Sequence, residues 1–278
     1  MDLAQALVLG LVEGVTEFLP VSSTGHLTIV EKLLGLRVDD RGVTAFTAII
    51  QVGAIAASIV YFARDVVRLV HAWVRGLVDR DARRDADYRL AWIVIVGTIP
   101  IGAAGLLARQ LITGGLRNLW VVVAALLLWS IVMVLAERLG VQRRSEAELT
   151  VRDGIVIGLV QCIALVPGVS RSGATISAGL LRGIDRVSAT RLSFFLAIPA
   201  LLAAGGYETL TAAGDVSSTV GWGPTLAATA VSFVVAVASI AGLLRLVARF
   251  PITVFVFYRV GAAAVVAVLL TTGVIAAV

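Results

Sequence analysis

The sequence predicts an all-α membrane protein with six transmembrane helices plus two re-entrant helical hairpins in an inverted repeat. Of its 278 residues, 59% are hydrophobic and only 15% are charged. Several apolar runs reach the ~20 residues that a helix needs to cross a bilayer. Two similar polar motifs also interrupt apolar segments in the two halves of the chain. We therefore expect one polytopic domain, residues 1–278, with repeat halves at residues 1–140 and 150–278.

Six apolar segments are long enough to cross as helices when hydropathy is averaged over windows of about 19 residues. They are residues 45–62, 90–108, 119–136, 189–206, 226–246 and 254–270. Two further apolar regions, residues 3–36 and 155–181, are each divided near the middle by a proline and a serine cluster. Because each half is too short to cross alone, these regions predict re-entrant hairpins. Such broken backbone is tolerated where it is buried in protein or lines a wet cavity.

Basic side chains set the predicted orientation. They concentrate in loops that fall on one side of the membrane if the hairpins do not cross it: 64–89, 138–152, 182–191 and 245–249. The positive-inside rule places this side in the cytoplasm and both termini outside. Fewer basic residues lie on the other side: Lys32, Arg37, Arg41, Arg109 and Arg117.

The net charge of +5 does not indicate a nucleic-acid partner. Because the arginines lie in short loops between spans, we expect them to set topology and to contact anionic lipid headgroups. Membrane lipids are thus expected partners, and a homodimer is compatible with the sequence. The single cysteine, Cys162, excludes an internal disulfide and argues against a cysteine-based metal site. The amino-terminal segment lacks a basic region ahead of Glu13, so we expect no cleaved signal peptide.

The two broken regions resemble each other. "GLVEGVTEFLPVSS", from Gly10, is similar to "GLVQCIALVPGVSR", from Gly158, with one residue deleted before the proline. Each motif has a serine three residues after its proline, Ser23 and Ser170. Three spans separate the hairpins, so the halves are expected to be inverted. Inverted repeats with broken helices place their binding sites near the midplane, where we expect the two motifs to converge.

Two carboxylates, Glu13 and Glu17, lie four residues apart and therefore on one face of the entering helix. A lone acid at this depth costs roughly 2.5 to 3.5 kcal/mol, so a cation must offset them. One interpretation is pairing with a buried arginine, either Arg171 or Arg259. The other is a divalent cation, Mg²⁺ or Ca²⁺, because hard carboxylate oxygens suit these ions and a pyrophosphate ligand would supply further oxygens.

Hydroxyls and a histidine follow the carboxylates in "PVSSTGH". Pro20 should end the entering helix, and the hydroxyls of Ser22, Ser23 and Thr24 should cap the returning one. A helix N-terminus facing the midplane is an anion site, and a plain cap needs only one hydroxyl. His26, within one turn of Ser23, is either a structural hydrogen-bonding residue or a base or acid for chemistry.

The second motif, "PGVSRSGAT", supplies a buried arginine. Its glycines permit close backbone approach, and its hydroxyls are on Ser170, Ser172 and Thr175. Arg171 offers a planar fork suited to bidentate phosphate binding. Its structural alternative, a counter-ion for the carboxylates of the first motif, is compatible with that role.

The two motifs closely resemble the signature motifs of the bacterial undecaprenyl pyrophosphate phosphatases, integral membrane enzymes associated with bacitracin resistance. The resemblance covers essentially the whole chain and includes the pair Tyr258 and Arg259; the arginine-rich segment 75–89 is the least similar part. It implies hydrolysis of an isoprenoid pyrophosphate lipid to the monophosphate carrier of cell-wall assembly, in the plasma membrane, with metal dependence and a site that opens outwards. By motif position, it implies these functional residues: Glu13, Glu17, Ser22, Ser23, Thr24, His26, Ser170, Arg171, Ser172 and Thr175.

Several alternatives remain open from the sequence. We expect Ser23 to attack phosphorus with His26 assisting proton transfer, but His26 itself or a water molecule could be the nucleophile. The rival function is a transporter or flippase of polyprenyl phosphate lipids, because inverted repeats and midplane charges are also typical of transporters. Arg259, about one turn inside the last span, could snorkel to the cytoplasmic surface or reach the cavity.

Overall fold

The structure, a computed structural model, describes residues 1–38, 40–108, 116 and 118–277. The described chain is helical, with one isolated bridge between Arg144 and Ile184. Its α-helices are α1 (Leu3–Thr16), α2 (Ser23–Leu33), α3 (Arg41–Tyr61), α4 (Ala63–Val78), α5 (Ala86–Leu107), α6 (Leu119–Leu139), α7 (Val151–Gln161), α8 (Arg171–Leu181), α9 (Arg186–Thr219), α10 (Trp222–Val247) and α11 (Val254–Thr271). Short 3-10 turns lie at Asp81–Arg84, Glu146–Glu148 and Cys162–Leu165. The all-α prediction is therefore confirmed.

Six helices in the described ranges are long and apolar enough to cross a membrane: α3, α5, α6, α9, α10 and α11. Each predicted span overlaps one of them almost completely, which confirms a multi-pass helical membrane protein. The main difference is that α9 continues to Thr219, past the predicted end at Gly206. Residues 207–219 contain no proline, so a more polar sequence can extend the helix. Arg109 and Arg117, predicted on the side opposite most arginines, lie outside the described residues.

The arginine-rich segment after α3 is not the loop that hydropathy predicts, because it folds into α4. One side of α4 packs on α5: Gly76 lies against the ring of Tyr88, and Arg68 forms a 3.0 Å ion pair with Asp87. An adjacent face carries the exposed Arg64, Arg68 and Arg75, as in an amphipathic helix. Charged residues spaced every three or four positions lower the mean hydropathy of a 19-residue window, so hydropathy alone does not predict this helix.

Besides the amphipathic α4, four of the described helices are too short to cross. With a rise of 1.5 Å per residue, the 14 residues of α1 extend ~21 Å, and the 11 residues of α2, α7 and α8 extend ~17 Å, against a hydrocarbon core of ~30 Å. These helices form two pairs, α1 with α2 and α7 with α8, and a non-helical segment separates the members of each pair. We name residues 17–22, between α1 and α2, the first break, and residues 162–170, between α7 and α8, the second break.

Glycines bring the short helices close to long ones. α1 packs against α10, and α7 packs against α5. A Cβ atom on Gly10 would lie 2.4 Å from the carbonyl oxygen of Ala228, and one on Gly158 would lie 2.2 Å from that of Gly97. Only glycine permits backbones to approach this closely, as at many helix contacts in membranes.

An ion cluster ties the start of α7 to the end of α8. The fully buried carboxylate of Asp153 accepts hydrogen bonds from Arg144 over 2.6 Å, from Arg182 over 2.9 Å and from the hydroxyl of Thr150 over 2.7 Å. Burial alone would raise the pKa of this carboxyl, but the three donors outweigh burial and hold its pKa well below the usual range. The cluster therefore fixes the start of α7 relative to the end of α8.

Candidate functional site

The two breaks meet inside the protein. The hydroxyl of Ser22 accepts a hydrogen bond from the N–H of Gly168 over 3.0 Å. In the other direction, the hydroxyl of Ser172 donates to the carbonyl oxygen of Leu19 over 3.0 Å. The predicted convergence of the two motifs is thus confirmed, and each break satisfies backbone groups of the other.

Each break ends in a serine with a left-handed backbone. Ser22 has a φ of 77° and Ser170 a φ of 78°, a region that non-glycine residues rarely occupy. Both are N-caps, because the hydroxyl of Ser22 accepts from the N–H of Gly25 over 3.4 Å and that of Ser170 from the N–H of Gly173 over 3.2 Å. The two helix starts, α2 and α8, are therefore built in the same way.

This geometry corrects the alignment drawn from the sequence, which matches Ser23 with Ser170 by their distance from proline. The backbone instead gives Ser22 and Ser170 the same position, so that Ser23 corresponds to Arg171. The N-cap is defined by the helix that follows it, whereas the proline can move by a residue within the turn.

Glu17 lies at the centre of a buried polar cluster. Its Oε2 accepts a hydrogen bond from the Ser23 hydroxyl over 2.5 Å, and its Oε1 lies 3.3 Å from the guanidinium of Arg171. The amide of Gln51 donates to the same carboxylate over 3.4 Å, and Arg171 also donates to the carbonyl of Ser193 over 3.1 Å. The Glu17 and Arg171 side chains are only 4% and 10% exposed, so little water screens their attraction. The structure thus brings a carboxylate, a hydroxyl and an arginine from both motifs together.

Glu13 is fully buried, and within the described residues neither of its carboxylate oxygens has a hydrogen-bond partner. Of its two predicted arginine partners, Arg171 pairs with Glu17, and Arg259 is bonded elsewhere. A buried carboxylate with free oxygens is costly unless a cation or proton offsets it. The donor set of Glu13 and Glu17 therefore fits a hard cation.

These two carboxylates do not complete a metal site by themselves. Among the described residues, no group of three or more His, Cys, Asp or Glu side chains is placed to hold a metal ion. Mg²⁺ and Ca²⁺ take six or more oxygens, and Mg²⁺ in particular is often held by one or two carboxylates together with phosphate oxygens and water. The arrangement fits an ion shared with a phosphate-bearing ligand.

His26 lies in the first turn of α2 but does not hydrogen-bond Ser23. Its Nδ1 lies 2.8 Å from the carbonyl oxygen of Ser22, and its Nε2 lies 2.7 Å from the hydroxyl of Tyr258. The expectation that His26 is the base of Ser23 is not met in this arrangement, because Glu17 occupies that position. Thr24, in the same turn, is exposed.

The three predicted hydroxyl ligands of the second motif have partners within the protein. The hydroxyls of Ser170 and Ser172 are 3.1 Å apart, and both reach the carbonyl of Leu19. The hydroxyl of Thr175 lies 2.7 Å from that of Ser193 on α9. In this arrangement they hold the second break against its neighbours.

Arg259 is fully buried, so the snorkelling interpretation is wrong. Its guanidinium donates to Pro20 over 3.0 Å, to Val169 over 3.2 Å and to Gly168 over 2.9 Å, in each case to the carbonyl oxygen. It also donates to the Ser130 hydroxyl over 3.1 Å. Carbonyls in a break have no helix partner and need a donor when buried. A five-donor guanidinium can serve several at once.

Sequence reasoning missed Gln51 and Ser193 as neighbours of the cluster and gave Tyr258 no role. All three lie on long apolar helices, α3, α9 and α11. Only the polarity of Gln51 within an apolar span was a usable signal, because intramembrane polar side chains usually face the protein interior.

Comparison with known proteins agrees with the geometry. The family model described as "Bacitracin resistance protein BacA" matches residues 6–265. The chain is 55% identical over 277 residues to "Undecaprenyl-diphosphatase 3" of Frankia casuarinae and 57% identical over 278 residues to "Undecaprenyl-diphosphatase" of Acidothermus cellulolyticus. It is 50% identical over 280 residues to "Undecaprenyl-diphosphatase" of Mycobacterium sp. (strain KMS), and all three alignments cover 100% of both chains. The protein therefore belongs to the BacA family of bacitracin resistance proteins.

Proposed function

We propose that this protein hydrolyses undecaprenyl pyrophosphate to undecaprenyl phosphate and phosphate, which recycles the lipid carrier of cell-wall synthesis. The observation that carries the proposal is the hydroxyl–carboxylate pair of the half-buried Ser23 and the buried Glu17, beside the guanidinium of Arg171. Full-length relatives named undecaprenyl-diphosphatases support the choice of substrate. A transporter needs an anion site but no nucleophile, so the same pair favours an enzyme.

Arg171 and the starts of α2 and α8 bind the pyrophosphate in this account. The first N–H groups of a helix have no partner within it and carry the positive end of its dipole, which attracts phosphate. Thr24 adds an exposed hydroxyl at the start of α2. Ser22 and Ser170 hold the two starts in place as N-caps.

Phosphoryl transfer to Ser23 is the first chemical step that we propose. The Ser23 oxygen attacks the terminal phosphorus while its proton passes to Glu17, 2.5 Å away. The bond to the bridging oxygen breaks, and undecaprenyl phosphate leaves. Arg171 stabilises the charge on the transferred group. A water molecule then hydrolyses the phosphoserine, releases phosphate and restores the hydroxyl.

His26 assists proton transfer in the second step rather than at Ser23. Its Nε2 lies 2.7 Å from the hydroxyl of Tyr258, so direct attack by this nitrogen would require the hydrogen bond to break. Attack by water without a phosphoserine is the remaining alternative. Trapping phosphoserine by mass spectrometry after rapid quenching distinguishes the two.

A divalent cation, Mg²⁺ or Ca²⁺, fits between Glu13 and Glu17. The support is the buried carboxylate of Glu13, whose oxygens have no hydrogen-bond partner among the described residues. When bound, such an ion neutralises phosphate charge and polarises the phosphoryl oxygens. Glu13 and Glu17 are the residues that would hold it, and the Oε2 of Glu17 is the atom that accepts the Ser23 proton.

The same proposal includes re-entrant hairpins within an inverted repeat of residues 1–140 and 150–278. Its support is a correspondence of position. Asp2 caps α1 and Ser22 caps α2 in the first half, as Thr150 caps α7 and Ser170 caps α8 in the second. The number of residues between the two caps is the same in both halves. Packing is reciprocal as well. α3 contacts α9 and α6 contacts α11, while α1 packs on α10 as α7 packs on α5.

We place the protein in the bacterial plasma membrane with the site opening to the outer face. The positive-inside rule favours this orientation, because the arginines of α4 and of the loops after α6, α8 and α10 share one side. Lipid covers the exposed apolar helix faces, and a homodimer through them is compatible with this placement. Impermeant thiol labelling of a cysteine introduced between Gly205 and Gly223 in intact cells tests the orientation.

Phosphate release by purified protein in detergent tests the function. With undecaprenyl pyrophosphate and Mg²⁺, we expect turnover that falls about 100-fold in Arg171→Lys, since lysine keeps the charge but loses the planar fork. The matched control Arg249→Lys, at an exposed arginine, should be unaffected. Clean binding of the lipid without phosphate release would overturn the proposal and favour transport.

A further inference from the structure

The hydrogen bonds of His26 determine where its proton lies. The Nδ1 of His26 lies 2.8 Å from the carbonyl oxygen of Ser22, which can only accept, so Nδ1 must carry hydrogen. In the neutral ring, Nε2 is then the acceptor, and its partner over 2.7 Å is the hydroxyl of Tyr258, which donates. The tautomer therefore follows from the identity of the Nδ1 partner.

Tyr258 also fixes the plane of the imidazole. The two rings are stacked, with centroids 5.5 Å apart and an interplanar angle of 14°. A tyrosine that both stacks on a ring and bonds one of its atoms leaves that ring little freedom to turn. The contact joins α11 to the first turn of α2, two elements far apart in sequence.

The neighbouring residue points the opposite way. Arg259 is fully buried and bonded to carbonyls of both breaks, whereas Tyr258 is 51% exposed. Two adjacent residues of α11 thus have different roles: the buried Arg259 holds the backbone of the breaks, and the half-exposed Tyr258 holds the imidazole of His26. The exposure of Tyr258 leaves its hydroxyl, and hence the Nε2 of His26, within reach of an incoming headgroup or water.

We propose that Tyr258 is the positioning residue of His26: its hydroxyl and ring hold the imidazole as the Nδ1–H tautomer, with Nε2 as the nitrogen that exchanges a proton during turnover. The effect on turnover rests on the proposed phosphatase function. The positioning itself does not, because it can be measured without substrate. Tyr258 acts through His26 and is not required to touch the lipid.

Nitrogen-15 labelling of histidine tests the proposal directly. The chain has two histidines, His26 and His71, so the spectrum of the detergent-solubilised protein contains two imidazoles. We expect His26 as the Nδ1–H tautomer. His71, which is exposed on α4, serves as an internal reference. An Nε2–H tautomer for His26, or a mixture of the two, would overturn the proposal without any variant.

Tyr258→Phe provides the second arm, because it keeps the stacked ring and removes the hydroxyl. We expect the Nε2 resonance of His26 to shift while those of His71 stay in place, and kcat to fall about 10- to 100-fold with KM changed less than about twofold. Tyr61→Phe, at a tyrosine distant in sequence from both motifs, is the matched control and should change neither readout. Wild-type kcat and an unshifted Nε2 resonance in Tyr258→Phe would refute the positioning role.

The two arms separate this proposal from the function itself. If the unaltered protein releases no phosphate from undecaprenyl pyrophosphate, the proposed function fails, and the resonances of His26 still decide whether Tyr258 holds the ring.

Discussion

The guanidinium of Arg259 donates a hydrogen bond to the carbonyl oxygen of Pro20 over 3.0 Å and reaches Gly168 over 2.9 Å with another nitrogen. One side chain of α11 therefore joins the two breaks. The polar cluster of Ser23, Glu17 and Arg171 is built from the start of the first break and from the first residues of α2 and α8.

Arg259→Lys should destabilise the protein, because an ammonium group cannot reach the carbonyls of both breaks. We expect a loss of about 3 kcal/mol in the free energy of unfolding, the scale for leaving buried polar groups without partners. Thermal unfolding in detergent measures it, with the exposed Arg249→Lys as control. An unchanged unfolding midpoint in Arg259→Lys would mean that the junction does not hold the breaks.

Gly158→Ala should separate α7 from α5. The added Cβ would lie 2.2 Å from the carbonyl oxygen of Gly97, so the helices must move apart at a cost of about 1–3 kcal/mol. Gly102→Ala is the matched control, because this glycine lies on α5 and a Cβ added to it would meet no atom within 4 Å. If both variants unfold at the same temperature as the unaltered protein, the close contact is not required.

Asp153→Asn should weaken the ion cluster between α7 and α8. Its two arginines are 29% and 33% exposed, so we expect a loss of about 3 kcal/mol, the lower end of the range for a buried pair. The exposed Asp81→Asn is the control. Thermal unfolding of both variants at neutral pH gives the comparison.

The dependence of this difference on pH has a defined sign. The pKa of Asp153 is held well below its unfolded value of about 3.9, so the carboxylate stabilises the fold above about pH 4. That contribution is lost as the pH falls through the lower folded-state pKa. The gap between Asp153→Asn and the unaltered protein should therefore be constant from pH 7 to about pH 5 and shrink below pH 4. A gap that grows on acidification would contradict the assignment.

Removal of divalent cations should stop turnover without unfolding the protein. We expect chelation to lower kcat at least about 100-fold, with recovery on addition of Mg²⁺ or Ca²⁺, because the ion offsets phosphate charge between Glu13 and Glu17. Glu13→Gln should raise the cation concentration needed for half-maximal turnover, whereas the exposed Asp81→Asn should not. Full activity after exhaustive chelation would show that turnover does not require a divalent cation.

The membrane spans and the meeting of the two polar motifs were predictable from sequence because both depend on the high cost of polar groups in lipid. Apolar runs near 20 residues match the thickness of the bilayer core. Few buried helices of water-soluble proteins need an apolar run of that length. Glu13, Glu17 and Arg171 are improbable at membrane depth without a function. The convergence of the two motifs was expected from their similarity, because proteins with inverted repeats and broken helices place the breaks of the two halves together.

The partners of individual side chains were less predictable. Arg259 lies near the end of its span in sequence, which made snorkelling plausible, but its direction depends on packing between α6 and α11 that no local pattern encodes. Ser23 and His26 are adjacent on a helix turn, yet each bonds a residue from another element, Glu17 and Tyr258. The structural role of Ser22 depended on a left-handed backbone that serine rarely adopts.

The turnover of Ser23→Ala shows whether the Ser23 oxygen is the atom that attacks phosphorus. Purified Ser23→Ala and the matched control Thr24→Ala, altered at the next hydroxyl of α2, are compared for phosphate release from undecaprenyl pyrophosphate at saturating Mg²⁺. We expect kcat to fall at least about 1,000-fold in Ser23→Ala, because the oxygen that attacks phosphorus is gone, and no more than about tenfold in Thr24→Ala. Near-normal kcat in Ser23→Ala would contradict this expectation and leave water or His26 as the attacking group.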